Sequence, residues 1–342
     1  KIKLAGNWGR NNDSDGNFKI ATGATLEIDS SISNTFDGVL SGTGSLILGG
    51  TGTQDFAGNN TFTGTINIAD GGIKASHANA LGATPVITSS GGRISTASSI
   101  TLPSLTVSGN VQLDSGITTT GAQIYNNNVV VKAGTRASAA VISANNSDIS
   151  FKGTLKGEGN AKARSLTINA GTGNILFGDR VGYAFNGQTV NINNTADSFY
   201  KMTMTANDIT IKGDIMTYEE QIYNGNVVVS STGSNGTTRT LLSIDPKVTI
   251  NGTINDSVSN THTLIAKAVA IKRGEGIKVA TPEIAFNGKI GTVKALAGYS
   301  GVTGYQIITK NILLNHPKTT STKRFVSAIL LHSANWGVVF LG

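Results

Sequence analysis

Gln123–Val131 reads QIYNNNVVV, and Gln221–Val229 reads QIYNGNVVV, 98 positions further on. Working outward, Ile149–Leu155 (ISFKGTL) returns as Val248–Ile254 (VTINGTI) at an offset of 99. Phe185-Asn186-Gly187 returns as Phe286-Asn287-Gly288 at an offset of 101. Three matches in one order at nearly one spacing describe a chain built by stacking one kind of unit. Stacking extends the molecule along an axis, so the expected functional element is a long surface rather than one deep pocket.

The units are strands. Ala24–Ile28, Gly44–Leu48, Gly64–Ile68, Ser104–Val107, Asn128–Val131, Ser165–Ile168, Thr189–Ile192, Asp208–Ile211 and Lys247–Ile250 all alternate apolar with polar residues. That is the period of a half-buried strand, and no segment sustains the helical i, i+3, i+4, i+7 pattern over three turns. Gly, Asn and Asp bound the runs and supply the turns. A series of antiparallel sandwiches is one solution. A right-handed parallel β-helix, a single elongated solenoid, explains more: like residues stack on like at about 4.8 Å, with Val, Ile and Leu inward. Ile149, Phe151, Leu166 and Ile168 are expected in that core. With strand-and-turn sets of roughly 20–25 residues, 98 positions make four or five coils and the chain about 14–17. The expected organisation is one continuous rod over 1–342, with 123–220 and 221–318 as approximate super-repeats.

Composition agrees. Gly numbers 43, Pro 5 and Cys none, and charged residues are 14%. This is too apolar for disorder and too poor in helical periodicity for a bundle. Without Cys there is neither disulfide nor thiolate metal site. No run reaches the ~18 apolar residues of a membrane span, and the basic start at Lys1 is cut off by Gly6-Asn7-Trp8-Gly9 before a signal-peptide core can form.

Gly38–Gly82 contains G-T-G-S-L-I-L-G-G, then G-N-N-T-F-T-G, then I-N-I-A-D-G, and ends A-N-A-L-G. These elements resemble the passenger-associated strand repeat of bacterial autotransporters. Ile149–Leu155, Ser165–Gly178 (SLTINAGTGNILFG) and Tyr223–Val229 are similar to filamentous haemagglutinin-like adhesins of two-partner secretion. The likeness covers roughly 38–290. It implies a type V secreted exoprotein: a right-handed parallel β-helix exported through an outer-membrane translocator to the bacterial surface. The implied function is adhesion to host or neighbouring cells through glycan or protein receptors. The chain reads as an interior or processed segment of such an exoprotein.

Catalytic motifs are sparse. There is no G-x-S-x-G; Gly298-Tyr299-Ser300-Gly301 stops short. His77, His262, His316 and His332 stand singly and read as surface or turn residues. Asn11, Asp13, Asp15 and Gly16 resemble the opening of a calcium loop, but Thr22 stands where the bidentate acid belongs. Asp208 and Asp214 lie six apart and Glu219 and Glu220 are adjacent, and neither pair points to one cleft. Asn-x-Ser/Thr sequons begin at Asn12, Asn59, Asn145, Asn193, Asn235, Asn251 and Asn255, about as many as this composition produces by chance. The expectation is a non-enzyme with no catalytic or metal residues, no cofactor and no specific nucleic-acid partner. The alternatives are a β-helix polysaccharide lyase or hydrolase, and the receptor-binding stalk of a passenger toxin.

Charge supplies the one candidate site. The whole chain carries +7, and from His262 onward ten Lys and Arg face only Glu275 and Glu283, a local excess of +8. Lys267, Lys272, Arg273, Lys278, Lys289, Lys294 and Lys310 are therefore candidates for binding acidic glycans. Lys267, Lys289 and Lys310 are 22 and 21 apart, and Lys272 and Lys294 are 22 apart, so a coil of that length would align them as ladders on one face.

Overall fold

The computed structural model describes residues 2–5, 16–82, 85–159, 164–182, 197–232, 236–244, 247–268, 283–303 and 312–314. Every pairing between strands in these residues is parallel, and no helix occurs among them. The chain is a parallel β-helix with three faces. Gln123–Tyr125 lies on the first face, Val129–Val131 on the second and Ala140–Ala144 on the third. The next coil repeats the order with Ile149–Phe151, Leu155–Gly157 and Leu166–Asn169, each paired with its counterpart below. Each alternating run of the sequence among the described residues falls in a strand, and two of them, Ser104–Val107 and Asp208–Ile211, are parts of longer strands, Leu105–Leu113 and Met202–Ile211. Thr189–Ile192 and the Phe185–Gly187 copy of the third repeat lie outside the described residues.

The core is a set of vertical rows. On the first face one inward row runs Leu26, Leu46, Ile66, Ile87, Val107, Tyr125, Phe151, Phe177, Ile211, Val229, through ten successive coils. Ile2 pairs below Leu26 and Asp256 above Val229, so twelve rungs stack in register. At strand spacing this is on the order of 50 Å. The expected core residues Ile149, Phe151, Leu166 and Ile168 are all buried. Tyr125, Phe151 and Phe177 stack with nearly parallel planes, their ring centroids 5.1 and 5.9 Å apart. Rungs are also tied by polar groups. Asn60, in the G-N-N-T-F-T-G run, is buried; its Oδ1 accepts the Leu40 amide at 2.7 Å and its Nδ2 donates to the Ala80 carbonyl at 2.6 Å. It thus links the coils on both sides and satisfies two backbone groups that water cannot reach.

Coil length is not constant. The first-face register steps from Thr25 to Ser45 and on to Thr65, an interval of 20 each time. From Gln123 to Ile149 and on to Ile175 the interval is 26. It widens to 34 between Ile175 and Ile209 and narrows to 18 between Ile209 and Val227. The 98-residue interval, expected to hold four or five coils, holds fewer. Three coils carry Gln123 to Ile209, and two further faces carry the chain on to Gln221. The repeat therefore stops one face short of a fourth turn, and the two QIY segments do not share a face. Gln221 lies on the third face, above Met202 and Leu166, whereas Gln123 lies on the first.

The local geometry of the repeat is nevertheless the same. Gln123 Nε2 donates to the carbonyls of Ile117 (3.2 Å) and Ser143 (2.7 Å), and Tyr125 donates its hydroxyl to Gln123 Oε1 (2.9 Å). Gln221 Nε2 donates to the carbonyls of Ile215 (3.3 Å) and Leu242 (2.8 Å), and Tyr223 donates to Gln221 Oε1 (2.8 Å). Both glutamines are fully buried. Each binds one carbonyl in the preceding strand and one in the next coil, so the QIY triplet is a buried brace with its polar groups satisfied. After each brace the corner asparagine repeats too: Asn128 Oδ1 accepts the amide and hydroxyl of Thr154, and Asn226 Oδ1 those of Thr253.

Candidate functional site

The register does not stack Lys267 on Lys289. In this part of the rod Lys247 pairs with Glu283 and Thr263 with Gly298, so successive coils are far longer than the Lys267-to-Lys289 spacing. Lys267 stands on the second face between Leu242 and Val302. Lys289 lies at the corner between the third and first faces, where its carbonyl accepts the Ile254 amide. The two are not stacked. Lys294 is exposed and donates its ammonium to the Ser257 carbonyl at 2.7 Å. Lys272, Arg273, Lys278 and Lys310 lie outside the described residues. Several other cations pair with acids one coil away: Lys74 with Asp55 at 2.7 Å, Lys201 with Glu220 at 2.6 Å and Lys247 with Glu283 at 3.2 Å. Such half-exposed pairs set register more than stability.

The outward rows are mostly amides and hydroxyls. On the third face Ser143, Asn169, Thr205 and Asn224 succeed one another rung by rung. The row continues at the adjoining corner, where Asn251 donates to Asn224 and Asn287 donates to Asn251, each at 2.7 Å. A second column climbs the corner before the first face. Asp148 Oδ1 accepts the Asn174 amide, Asn174 Oδ1 accepts the Asp208 amide, and Asp208 Oδ1 accepts from Asn226 Nδ2. Amide ladders of this kind keep donors and acceptors at rung spacing along the rod. Of the sequon asparagines, Asn59, Asn145 and Asn251 are exposed.

The acids considered for catalysis are spread over structural tasks. Asp208 is in that column, and Asp214 Oδ1 accepts the Thr240 amide at 2.7 Å. Burial raises the Asp214 pKa, opposed by that bond and by Arg239 and Lys267. Glu219 bonds the Tyr200 hydroxyl, over whose ring the Arg136 guanidinium sits at 4.3 Å. The calcium-loop opening at Asn11, Asp13 and Asp15 lies outside the described residues, as do His316 and His332. Among the described residues no group of three or more His, Cys, Asp or Glu side chains is arranged to hold a metal ion, and no helix is long and apolar enough to cross a membrane.

One constellation escaped the sequence. Asp256 ends the first-face strand Ile254–Asp256, where the inward row otherwise carries Ile211 and Val229. A buried carboxylate in an apolar row must be bonded from several sides. Oδ1 accepts the Val258 amide (2.9 Å), and Oδ2 accepts those of Thr261 (2.9 Å) and His262 (2.8 Å), folding 256–262 into a tight corner. Oδ1 also meets His262 Nδ1 at 2.5 Å. Burial works to raise the Asp256 pKa, but the backbone and ring bonds from His262 and the amides of Val258 and Thr261 outweigh it and hold the carboxyl below its usual range. An ionised Asp256 places the imidazole proton on Nδ1. In the neutral ring Nε2 is then an acceptor, and it lies 2.9 Å from Ser231 Oγ in the coil below.

The surroundings hold this arrangement still. The guanidinium of buried Arg239 bonds the carbonyls of Ser230 (2.7 Å), Gly236 (2.6 Å) and Thr238 (2.6 Å), which fixes the backbone next to Ser231. From the coil above, Ala297 donates to the His262 carbonyl, and Asp256 donates its amide to Lys294. His262 reads in the sequence as an isolated turn histidine. Its partner Ser231 is far behind it in the chain, and only long coils bring the two onto neighbouring rungs.

No protein-family model, curated protein or solved structure matches this chain. The class that the coordinates define is the three-faced parallel β-helix.

Proposed function

We propose that this chain is an adhesive or stalk segment of a large exported bacterial exoprotein, of the autotransporter or two-partner type, acting at the outer cell surface. Its receptors are glycans or proteins of host or neighbouring cells, bound along the outward rows of the rod. The observation that carries this reading is the stack of twelve rungs on the first face, beside which the third face presents the amide and hydroxyl row Ser143, Asn169, Thr205 and Asn224 at strand spacing. Such a surface offers many equivalent weak contacts to an extended polymer, and their sum gives avidity without a deep pocket. The motifs in Gly38–Gly82 and Ser165–Gly178 support the exported class. The basic C-terminal third favours acidic glycans among the receptors, by long-range attraction rather than by a lysine ladder.

The test is retention of the purified chain on immobilised heparin, neutral polysaccharides and intact cells at several salt concentrations. Saturable, salt-sensitive retention with the polymer recovered intact is the expected result. Depolymerisation of any of these glycans by the chain would overturn the reading in favour of a β-helix lyase or hydrolase. Absence of saturable binding to glycans and to cells alike would leave no adhesive role.

A further inference from the structure

We infer that Ser231 is an activated nucleophile, with His262 as its general base and Asp256 as the positioning acid, and that the site takes O-acyl esters. This inference is independent of the adhesive reading, which concerns the outward rows of the whole rod.

The geometry has the order such chemistry needs. Asp256 Oδ1 meets His262 Nδ1 at 2.5 Å, and His262 Nε2 meets Ser231 Oγ at 2.9 Å. A nucleophile and base within hydrogen-bond reach, with the base oriented by a third group, is the arrangement that activates a serine. Burial runs in the same order. The Asp256 side chain is 0% exposed and that of His262 3%, while Ser231 is half-buried and nearest to solvent. A merely structural imidazole needs one or two backbone partners. Here one ring nitrogen faces a carboxylate kept ionised by three amides, and the other faces a hydroxyl. The carboxylate also stands in a core row that is apolar through ten coils below it. Placing a charge there costs stability that an apolar residue would not, so the pair calls for a reason beyond filling the row. Finally, both sides of the site are clamped, by Arg239 on the Ser231 loop and by residues 294–297 on the 256–262 corner. Preorganisation of this kind is what proton transfer from serine to histidine requires.

The step balances without a cofactor. Ser231 Oγ bonds to the ester carbonyl carbon as its proton passes to His262 Nε2. The tetrahedral adduct collapses, the C–O bond to the alcohol breaks, and the alcohol departs with that proton. Acyl-Ser231 remains, and water attacking through the same base releases the carboxylic acid and restores the serine.

The chain contains no cysteine, which makes a clean experiment available. The full chain is incubated with a fluorophosphonate, which forms an Oγ–P bond to an activated serine and expels fluoride. One adduct is expected, mapped to Ser231, absent from Ser231→Ala and formed about 100-fold more slowly in His262→Gln. Because His262→Gln disturbs a buried site, a second measurement leaves the base in place. In Ser231→Cys the only thiol of the protein faces His262. Its alkylation by iodoacetamide at pH 7 is expected to be about ten-fold faster than that of Ser259→Cys, an exposed position on the neighbouring corner. No adduct at Ser231, together with equal alkylation rates for the two thiols, overturns the proposal. An adduct whose rate is unchanged in folded His262→Gln overturns it as well.

Discussion

The two QIY segments are identical in sequence and different in place. Gln123–Tyr125 lies on the first face and Gln221–Tyr223 on the third, yet each glutamine bridges two carbonyls and receives its tyrosine hydroxyl in the same way. The repeat therefore encodes a corner and its brace, not a face. A three-faced helix has corners of similar shape, so one cassette fits more than one of them. What differs is the neighbourhood. Tyr125 is capped by the ring of Phe151, whereas Tyr223 lies between Met204 and Ile250. Asn127 in the first cassette is Gly225 in the second, where an added Cβ would stand 2.2 Å from the Ala206 carbonyl oxygen.

Truncating the caps is the strongest way to break the comparison. Phe151→Ala removes a ring stacked on both sides and is expected to cost about 3–5 kcal/mol, against about 2–5 kcal/mol for Ile250→Ala above the second tyrosine. Urea unfolding of both variants measures the difference, and an Ile250→Ala cost above that of Phe151→Ala would show that the aromatic stack is not the tighter environment. The braces come next. Gln123→Leu and Gln221→Leu each strand a buried tyrosine hydroxyl and two carbonyls, for about 2–3 kcal/mol apiece. Equal losses sharpen the equivalence of the cassettes; a brace that can be removed freely on one face ends it.

Exchanging the corner residues gives a smaller and asymmetric effect. Gly225→Asn forces a side chain against the Ala206 carbonyl and is expected to destabilise by about 1–3 kcal/mol. Asn127→Gly loses only the bond from the Gly109 amide and some backbone rigidity, for about 1 kcal/mol. Symmetrical costs would contradict the close packing at Gly225. The smallest effect at neutral pH belongs to the tyrosines. Burial pushes both the Tyr125 and the Tyr223 hydroxyl well above their usual pKa. A group whose folded pKa is raised contributes stability that is complete below its unfolded value, here about 10, and is lost as pH rises beyond it. Thermal unfolding followed from about pH 8 to 12 is expected to show a steep decline above about pH 10. Tyr125→Phe and Tyr223→Phe each cost about 1 kcal/mol at pH 8 and flatten that decline. An unchanged alkaline slope in both variants would show that these hydroxyls are not the groups lost.

The strands were legible because alternation is local. Ala24–Ile28 or Lys247–Ile250 needs no partner to declare one inward side, and the core positions Ile149, Phe151, Leu166 and Ile168 follow from it. The lysine ladder was misread for the converse reason. It rested on a coil as long as the step from Lys267 to Lys289, and the coils there reach from Lys247 to Glu283 and from Thr263 to Gly298. Asp256, His262 and Ser231 were invisible for the same reason, since their spacings match no linear motif. The inward placement of Asp256 was readable as a polar residue closing the I-N-D strand, but not the meeting of its carboxylate with a histidine on the far side of a turn.

The type of structure follows from local pattern alone. Period-two apolar runs broken by Gly, Asn and Asp leave strands and turns as the only elements, and their near-repetition makes stacking the way to bury them. Only the tertiary structure decided which residues are neighbours along the axis. A coil as short as the step from Ile209 to Val227 and one as long as that from Lys247 to Glu283 both close one turn of the same helix. Loop-closure entropy grows only with the logarithm of length, so the longer coil costs little more than the shorter. Extra residues leave at the corners while the rungs stay in register. Position in the sequence therefore does not measure position on the rod, and the braces, the amide columns and the Ser231 relay exist only once the rungs are laid on one another.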